Sequence, residues 1–349
     1  MSIDTFLPWQ TATARAWLAA RERFAHAWLI HGLPGIGKER YARAAAASLL
    51  CEQPVDGLAC GACLACGWIS AGNHPDLRLI RPEAVALAEG EAIESSEPGP
   101  EVAAGAAKRA PSKDIRIDQI RSLNGWFNTA THRNGWRVAV LYPAQALNPM
   151  AANALLKVLE EPPANTVFLL VADAPDRLLP TLVSRCRRLA LSAPVFDTAL
   201  AWLTNEGVKD ATAWLAAAGG APLAAKRLAA QRDTPVPEWV GQWLTVIAQG
   251  GSPDNGTVAD ALDKVPAAEW LDTLQRVFVD LSLASAGQSV HYFPSLSEPM
   301  AAIAARSQPA SLTDAARWIT QQRRLANHPL NAKLFAHALL ARAQAACGT

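Results

Sequence analysis

The chain has 349 residues, half of them apolar and 18% charged, enough for two or three domains at about 150 residues each, which excludes global disorder. Lys plus Arg is 32 against 31 Asp plus Glu, a net charge of +1. That balance excludes a free-standing protein that grips DNA by bulk electrostatics, because neutralising phosphates needs concentrated positive charge.

In chain order, apolar runs with strand character alternate with helical patterns. Ala27 to His31 is a strand candidate, followed by a helix over Lys38 to Leu50 and a strand over Leu77 to Ile80. A helix over Ile117 to Thr129 precedes a strand at Arg137 to Leu141. A helix over Ala151 to Glu160, a strand at Val167 to Val171, a helix over Arg177 to Ser184 and a strand at Arg188 to Leu191 complete the series. This rhythm predicts an α/β domain with a mostly parallel sheet. Asn148 is the expected N-cap of the helix before Glu160, with Pro149 in its first turn and Pro162-Pro163 as its stop. Residues 83–112 interrupt the alternation. From Glu83 to Glu101 there are six Glu and no Lys or Arg, which reads as a flexible acidic insertion.

After Ala193-Pro194 the strand signals vanish. Asp197 to Asn205, Asp210 to Ala218 and Pro222 to Gln231 read as short helices. Longer ones follow at Trp239 to Gln249, Ala267 to Ser285, Leu296 to Arg306, Leu312 to Ala326 and Ala332 to Ala345. The predicted domains are an α/β domain over 1–193, a small helical domain over 194–234 and a helical bundle over 235–349. The twelve Trp are scattered through helical patterns and read as packing residues. No run reaches the ~18 apolar residues of a membrane span, and no secretory signal is visible at the start. The expected compartment is the reducing cytoplasm, where six Cys are thiols or metal ligands rather than disulfides.

Two motifs carry chemistry. The first strand runs into Gly32-Leu33-Pro34-Gly35-Ile36-Gly37-Lys38-Glu39 and then a helix, the context of a phosphate-binding loop. Gly32, Gly35 and Gly37 free the backbone to face phosphates, the helix N-terminus adds positive potential, and Lys38 reaches the terminal phosphates. Glu39 stands where a Mg²⁺-binding hydroxyl belongs, and Tyr142-Pro143-Ala144-Gln145 lacks the acidic pair that hydrolysis needs. The expectation is an inherited scaffold on which ATP is either not bound or not hydrolysed. The second motif is Cys51, Cys60, Cys63 and Cys66, spaced C-x8-C-x2-C-x2-C. Four clustered thiolates suit a closed tetrahedral Zn²⁺ site with a structural role. Cys186 and Cys347 read as plain thiols, and His74 as part of a turn rather than a ligand.

These residues, in this order, closely resemble the delta prime family of bacterial DNA polymerase III clamp-loader subunits. The resemblance rests on the degenerate loop, the four cysteines, His74-Pro75-Asp76, the run Asn153 to Pro163, and Ser184-Arg185-Cys186. It is dense from Ala27 to Leu191 and looser beyond. It implies an AAA+ fold with a lid (194–234) and a collar (235–349), and assembly with gamma/tau ATPase subunits and delta. That assembly opens the sliding clamp and loads it on primed DNA. It further implies that Arg185 acts in trans as an arginine finger. Leu223, where ATPase relatives carry a nucleotide-sensing Arg, fits a non-hydrolysing member. The basic end of the C-terminal segment and Arg133 are candidate DNA contacts. Two other readings use the same residues. An active AAA+ ATPase is favoured by Lys38 and opposed by Glu39, Gln145 and Leu223. A zinc-dependent DNA-binding regulator lacks a basic helix beside the cysteines.

Overall fold

Strands buried on both faces must lie between helical layers, and parallel neighbours need crossover segments long enough to hold a helix. The computed structural model, which describes residues 3–90, 110–132, 135–326 and 331–348, obeys both rules. The chain divides into two compact units, Met1–Thr198 and Ala199–Thr349.

The first unit carries, in order, α1 (Thr11–Leu18), β1 (Ala27–His31), α2 (Lys38–Leu50), α3 (Leu64–Ser70), β2 (Leu77–Ile80) and α4 (Glu83–Ala88). It continues with α5 (Ile117–Phe127), β3 (Arg137–Leu141), α6 (Pro149–Glu160), β4 (Thr166–Ala172), α7 (Pro180–Ser184) and β5 (Arg187–Ala190). The sheet is parallel throughout, in the order β2-β3-β4-β1-β5. β1 is therefore interior, and its partners are in register from Ala27 opposite Phe168 to His31 opposite Ala172. One face of the sheet packs Leu29, Leu141, Phe168 and Leu170 against Trp126 of α5 and Leu155 and Leu159 of α6. On α2, Ala44 to Ala47 are all buried, and that helix lies on β1, β3 and β4. Four consecutive residues cover most of a helix's circumference, so α2 is enclosed on nearly every side.

The predicted strands occur within one residue at each end. Asn148 caps α6 as expected, accepting the Ala151 N–H at 2.8 Å, with Pro149 at its start. The predicted helix over Arg177 to Ser184 is instead a short turn, Pro175–Arg177, and then α7, because Pro180 cannot continue a helix and opens a new one.

The expected flexible insertion needs correction at its start. Glu83–Ala88 is helical, and Glu89 is not a solvated acid. Its carboxylate meets Arg81 Nε at 2.8 Å, Arg43 Nη1 at 3.3 Å and the buried Tyr142 hydroxyl, which donates at 2.9 Å. Glu83 pairs with Arg116 and accepts the Ser112 N–H. The rest of the insertion, 91–109, lies outside the described residues.

The second unit holds most of α8 (Phe196–Asn205), then α9 (Ala211–Ala217), α10 (Pro222–Gln231), α11 (Glu238–Ala248), α12 (Asn255–Leu262) and α13 (Ala267–Ser285). It ends with α14 (Ser297–Arg306), α15 (Pro309–Gln322) and α16 (Ala332–Ala346). Ala199, Leu203, Trp214, Leu215 and Ala225 form a small core, and a larger one gathers Val240, Trp243, Trp270, Phe278 and Leu340. Trp243 and Trp270 are thus core residues, and Trp243 Nε1 donates to Asn255 Oδ1 at 3.0 Å. The fully buried Asp280 carboxylate accepts the N–H groups of His291, Tyr292 and Phe293 at 2.8–3.0 Å, fixing the chain that leads to α14. Among the described residues no helix is long and apolar enough to cross a membrane.

Candidate functional site: a closed phosphate loop, a thiol cluster and a surface arginine

The loop between β1 and α2 has the backbone of a phosphate cradle. Gly35 and Gly37 adopt φ of 80° and 89°, values that L side chains rarely take. Gly32 is required for space, since a Cβ there would lie 2.3 Å from the Leu191 carbonyl oxygen. The predicted Lys38 is at the loop's end, yet it does not wait for an anion. Its Nζ lies 2.5 Å from Asp173 Oδ1 and donates to the Leu33 carbonyl at 2.6 Å, and its side chain is 3% exposed. Asp173 directly follows β4, the neighbour of β1, so the sheet register itself brings it to the loop. Its N–H donates to Gln145 Oε1 at 3.3 Å, and Gln145 stands in the turn where an acid was sought. From the other side, Trp9 Nε1 and Gln10 Nε2 donate to the Ile36 carbonyl, and Gln10 Nε2 also to that of Gly37.

Glu39 lies at the mouth. Desolvation there, then the neighbouring Asp173 and Glu89 carboxylates, raise its carboxyl above the usual range. A trianionic or tetra-anionic phosphate chain would meet these acids with its lysine already spoken for.

The four predicted ligands converge. Cys51 ends α2, Cys66 lies in α3, and the sulfurs of Cys51, Cys60, Cys63 and Cys66 are all within 4.8 Å of one another. Cys51 to Cys63 is 3.8 Å and Cys60 to Cys66 is 3.9 Å. Tetrahedral Zn–S bonds of ~2.3 Å place sulfurs about 3.8 Å apart, so the thiols fit a zinc ion. Backbone N–H groups reach two of the sulfurs, against a burial that raises the Cys51 and Cys66 thiols above their ordinary pKa. Cys51 Sγ accepts the Cys60 N–H at 3.3 Å, and Cys60 Sγ accepts those of Ala62 and Cys63. Burial opposes ionisation of Cys63, but N–H donors from Cys66 and Glu52 and the adjoining thiols draw it down to about 6.

His74 stays outside the cluster, as the turn reading expected. It is buried, its Nδ1 accepts the Asp76 N–H at 3.1 Å, and its ring meets Trp68 edge-on. Burial pushes the Cys186 and Cys347 thiols up to about 12, which makes both inert.

Arg185 ends α7, two residues before β5. Parallel pairing sets Arg187 opposite Trp28 and Ala190 opposite His31, so Arg185 lies at the start of the strands while the phosphate loop lies at their end. At ~3.3 Å per residue the two are well over 10 Å apart. The side chain is 34% exposed, and its guanidinium is held by Glu160 of α6 and by the Thr181 carbonyl at 2.9 Å. Leu223 lies in the first turn of α10, and Arg133 falls outside the described residues. Asp173, Gln10 and Glu160 were not anticipated. The acid at the end of β4 could have been found by asking which residue follows the strand beside β1.

Fold and loop together define an α/β protein of the phosphate-loop class. A family model described as DNA polymerase III, delta subunit, matches residues 12–194. The chain is 40% identical over 228 residues to DNA polymerase III subunit delta′ of Pseudomonas aeruginosa, covering 64% of this chain and 61% of that one. It is 33% identical over 253 residues to subunit delta′ of Escherichia coli, covering 71% and 68%. It is also 31% identical over 171 residues to Escherichia coli subunit tau, covering 49% of this chain and 22% of tau. The chain belongs to the delta′ family of DNA polymerase III subunits. Its match spans under two thirds of the Pseudomonas relative's length.

Proposed function

We propose that the chain is the non-hydrolysing delta′ subunit of a cytoplasmic clamp loader, with an AAA+ domain, a helical lid and a helical collar. It assembles with gamma/tau ATPase subunits and delta, helps open the sliding clamp and load it on primed DNA, and supplies Arg185 to a neighbour's ATP. Structural Zn²⁺ on Cys51, Cys60, Cys63 and Cys66 holds α3 against the end of α2. The observation that carries this reading is the separation of two parts that a working ATPase uses. The chain's own loop is closed by Asp173, while its exposed arginine is at the far end of the sheet. A guanidinium there is useless to its own loop and suited to stabilising phosphoryl charge on an adjacent subunit. The separate small core over α8–α10 supports the lid reading, and the larger core over α11–α16 supports the collar. An active ATPase is disfavoured by Glu39, Gln145 and the engaged Lys38.

Reconstitution tests the proposal. The chain mixed with gamma or tau and delta from its own organism should complete a complex that loads clamps on primed DNA. The chain alone should show no ATP turnover. A complex that loads clamps equally well without it would overturn the reading.

A further inference from the structure

Lys38 is the one cation the loop offers to a phosphate, and its partners explain more than the missing hydroxyl does. An ammonium has three donors. Two are used inside the protein, on Asp173 at 2.5 Å and on the Leu33 carbonyl at 2.6 Å, with the side chain almost wholly enclosed. Asp173 presents a carboxylate oxygen at hydrogen-bond distance, where a phosphate oxygen would otherwise sit, and is itself steadied by Gln145. Asp173 neutralises Lys38, and Glu39 adds a second carboxylate beside the loop that Arg43 offsets only in part. A cavity of about 370 Å³ adjoins the loop, lined by Trp9, Gln10, Thr13, Ile36, Ala193 and Pro194. Room beside the loop is therefore not what is lacking.

We propose that Asp173 is the specificity-determining residue that keeps nucleotide out: its carboxylate stands in for phosphate on Lys38, and removing its charge exposes a latent polyphosphate site. The inference rests on the reading of the chain as a subunit that does not turn over nucleotide, and it supplies the residue responsible. A carboxylate at this distance from a buried lysine must be displaced before a phosphate oxygen can take its place on Nζ. The competing ligand is covalently attached and always present.

The test titrates the full chain with ATP and with inorganic pyrophosphate, in EDTA because the Mg²⁺-binding hydroxyl is absent. The wild type should give no saturable binding into the millimolar range. Asp173→Asn, which keeps the shape and removes the charge, should tighten binding of both probes by about tenfold or more. The double variant Lys38→Ala with Asp173→Asn should lose that gain. Asp173 is 40% exposed, so Asp173→Ser serves equally if the Asn variant melts early. A silent wild type and silent, normally melting Asp173 variants would overturn this inference and leave the proposed function standing. A gain that persists without Lys38 would also overturn it, by placing the site elsewhere. Tight ATP binding by the wild type would overturn this inference, and only ATP turnover by it would overturn the proposed function as well.

Discussion

Arg185→Ala separates a structural arginine from a catalytic one by the size of two effects. The substitution removes an ion pair to Glu160 and a hydrogen bond to the Thr181 carbonyl, with Arg185 34% and Glu160 49% exposed. Exposed pairs of this kind contribute roughly 0.2–1 kcal/mol, so the cost to folding should be about 1 kcal/mol or less. For a unit of this size that lowers the melting temperature by about 2–4 °C. Loss of a finger costs on the order of 10³-fold or more in turnover at the site it serves. The assay is DNA-stimulated ATP hydrolysis by the reconstituted complex, with every site but the one facing this subunit disabled, alongside a thermal melt of the isolated chain. Assembly should be unaffected. Arg185→Lys keeps the charge without the planar fork and should fall between the two. Unchanged turnover at the facing site would remove Arg185 from the mechanism, and a melt lowered by more than about 10 °C would make it a structural residue instead.

Purified protein should carry close to one zinc per chain, and Cys63→Ala should abolish it while raising amide exchange across Cys51 to Ser70 and sparing the sheet; full metal-free order there would contradict the site. Asp280→Ala strands three backbone N–H groups and should cost about 3–5 kcal/mol in urea unfolding, and a loss under about 1 kcal/mol would show that the clamp is dispensable. His74 is held below its ordinary pKa by burial, and His31 likewise by burial and then Arg188. The unfolded chain therefore takes up protons below about pH 6.5 that the folded chain refuses, and stability falls as pH drops from there toward the folded pKa values, by at most ~1.4 kcal/mol per unit of difference. Denaturant midpoints between pH 7.5 and 5 should fall less steeply in His74→Gln, and identical slopes would refute the assignment.

Local patterns made the sheet legible. β1, β3 and β4 are apolar runs between turn signals, the pattern of interior strands of a parallel sheet covered on both faces. The cysteine spacing was equally direct, because two x2 gaps and a helix end bring sulfurs together with no distant partner. α4 and Glu89 were not legible for the opposite reason. A run of Ala and Glu without basic residues suits a solvated loop or a helix equally, and the deciding partners, Arg43 and Tyr142, lie 46 and 53 residues away. α12 was hidden by Pro253-Asp254-Asn255-Gly256, a turn signature, although Asp254 proves to be an N-cap that accepts the Gly256 and Thr257 N–H groups. At the site, Glu39 signalled a damaged phosphate loop. The residue that closes it, Asp173, is 135 positions from Lys38 and becomes its neighbour only because β4 pairs with β1.

Under the proposed function this chain serves ATP hydrolysis without performing it. The most direct measurement is turnover by a complex in which the phosphate-loop lysine of every gamma or tau subunit is replaced by Ala and this chain is left intact. DNA-stimulated hydrolysis should not rise above background. Residual hydrolysis that disappears with Lys38→Ala in this chain would contradict it.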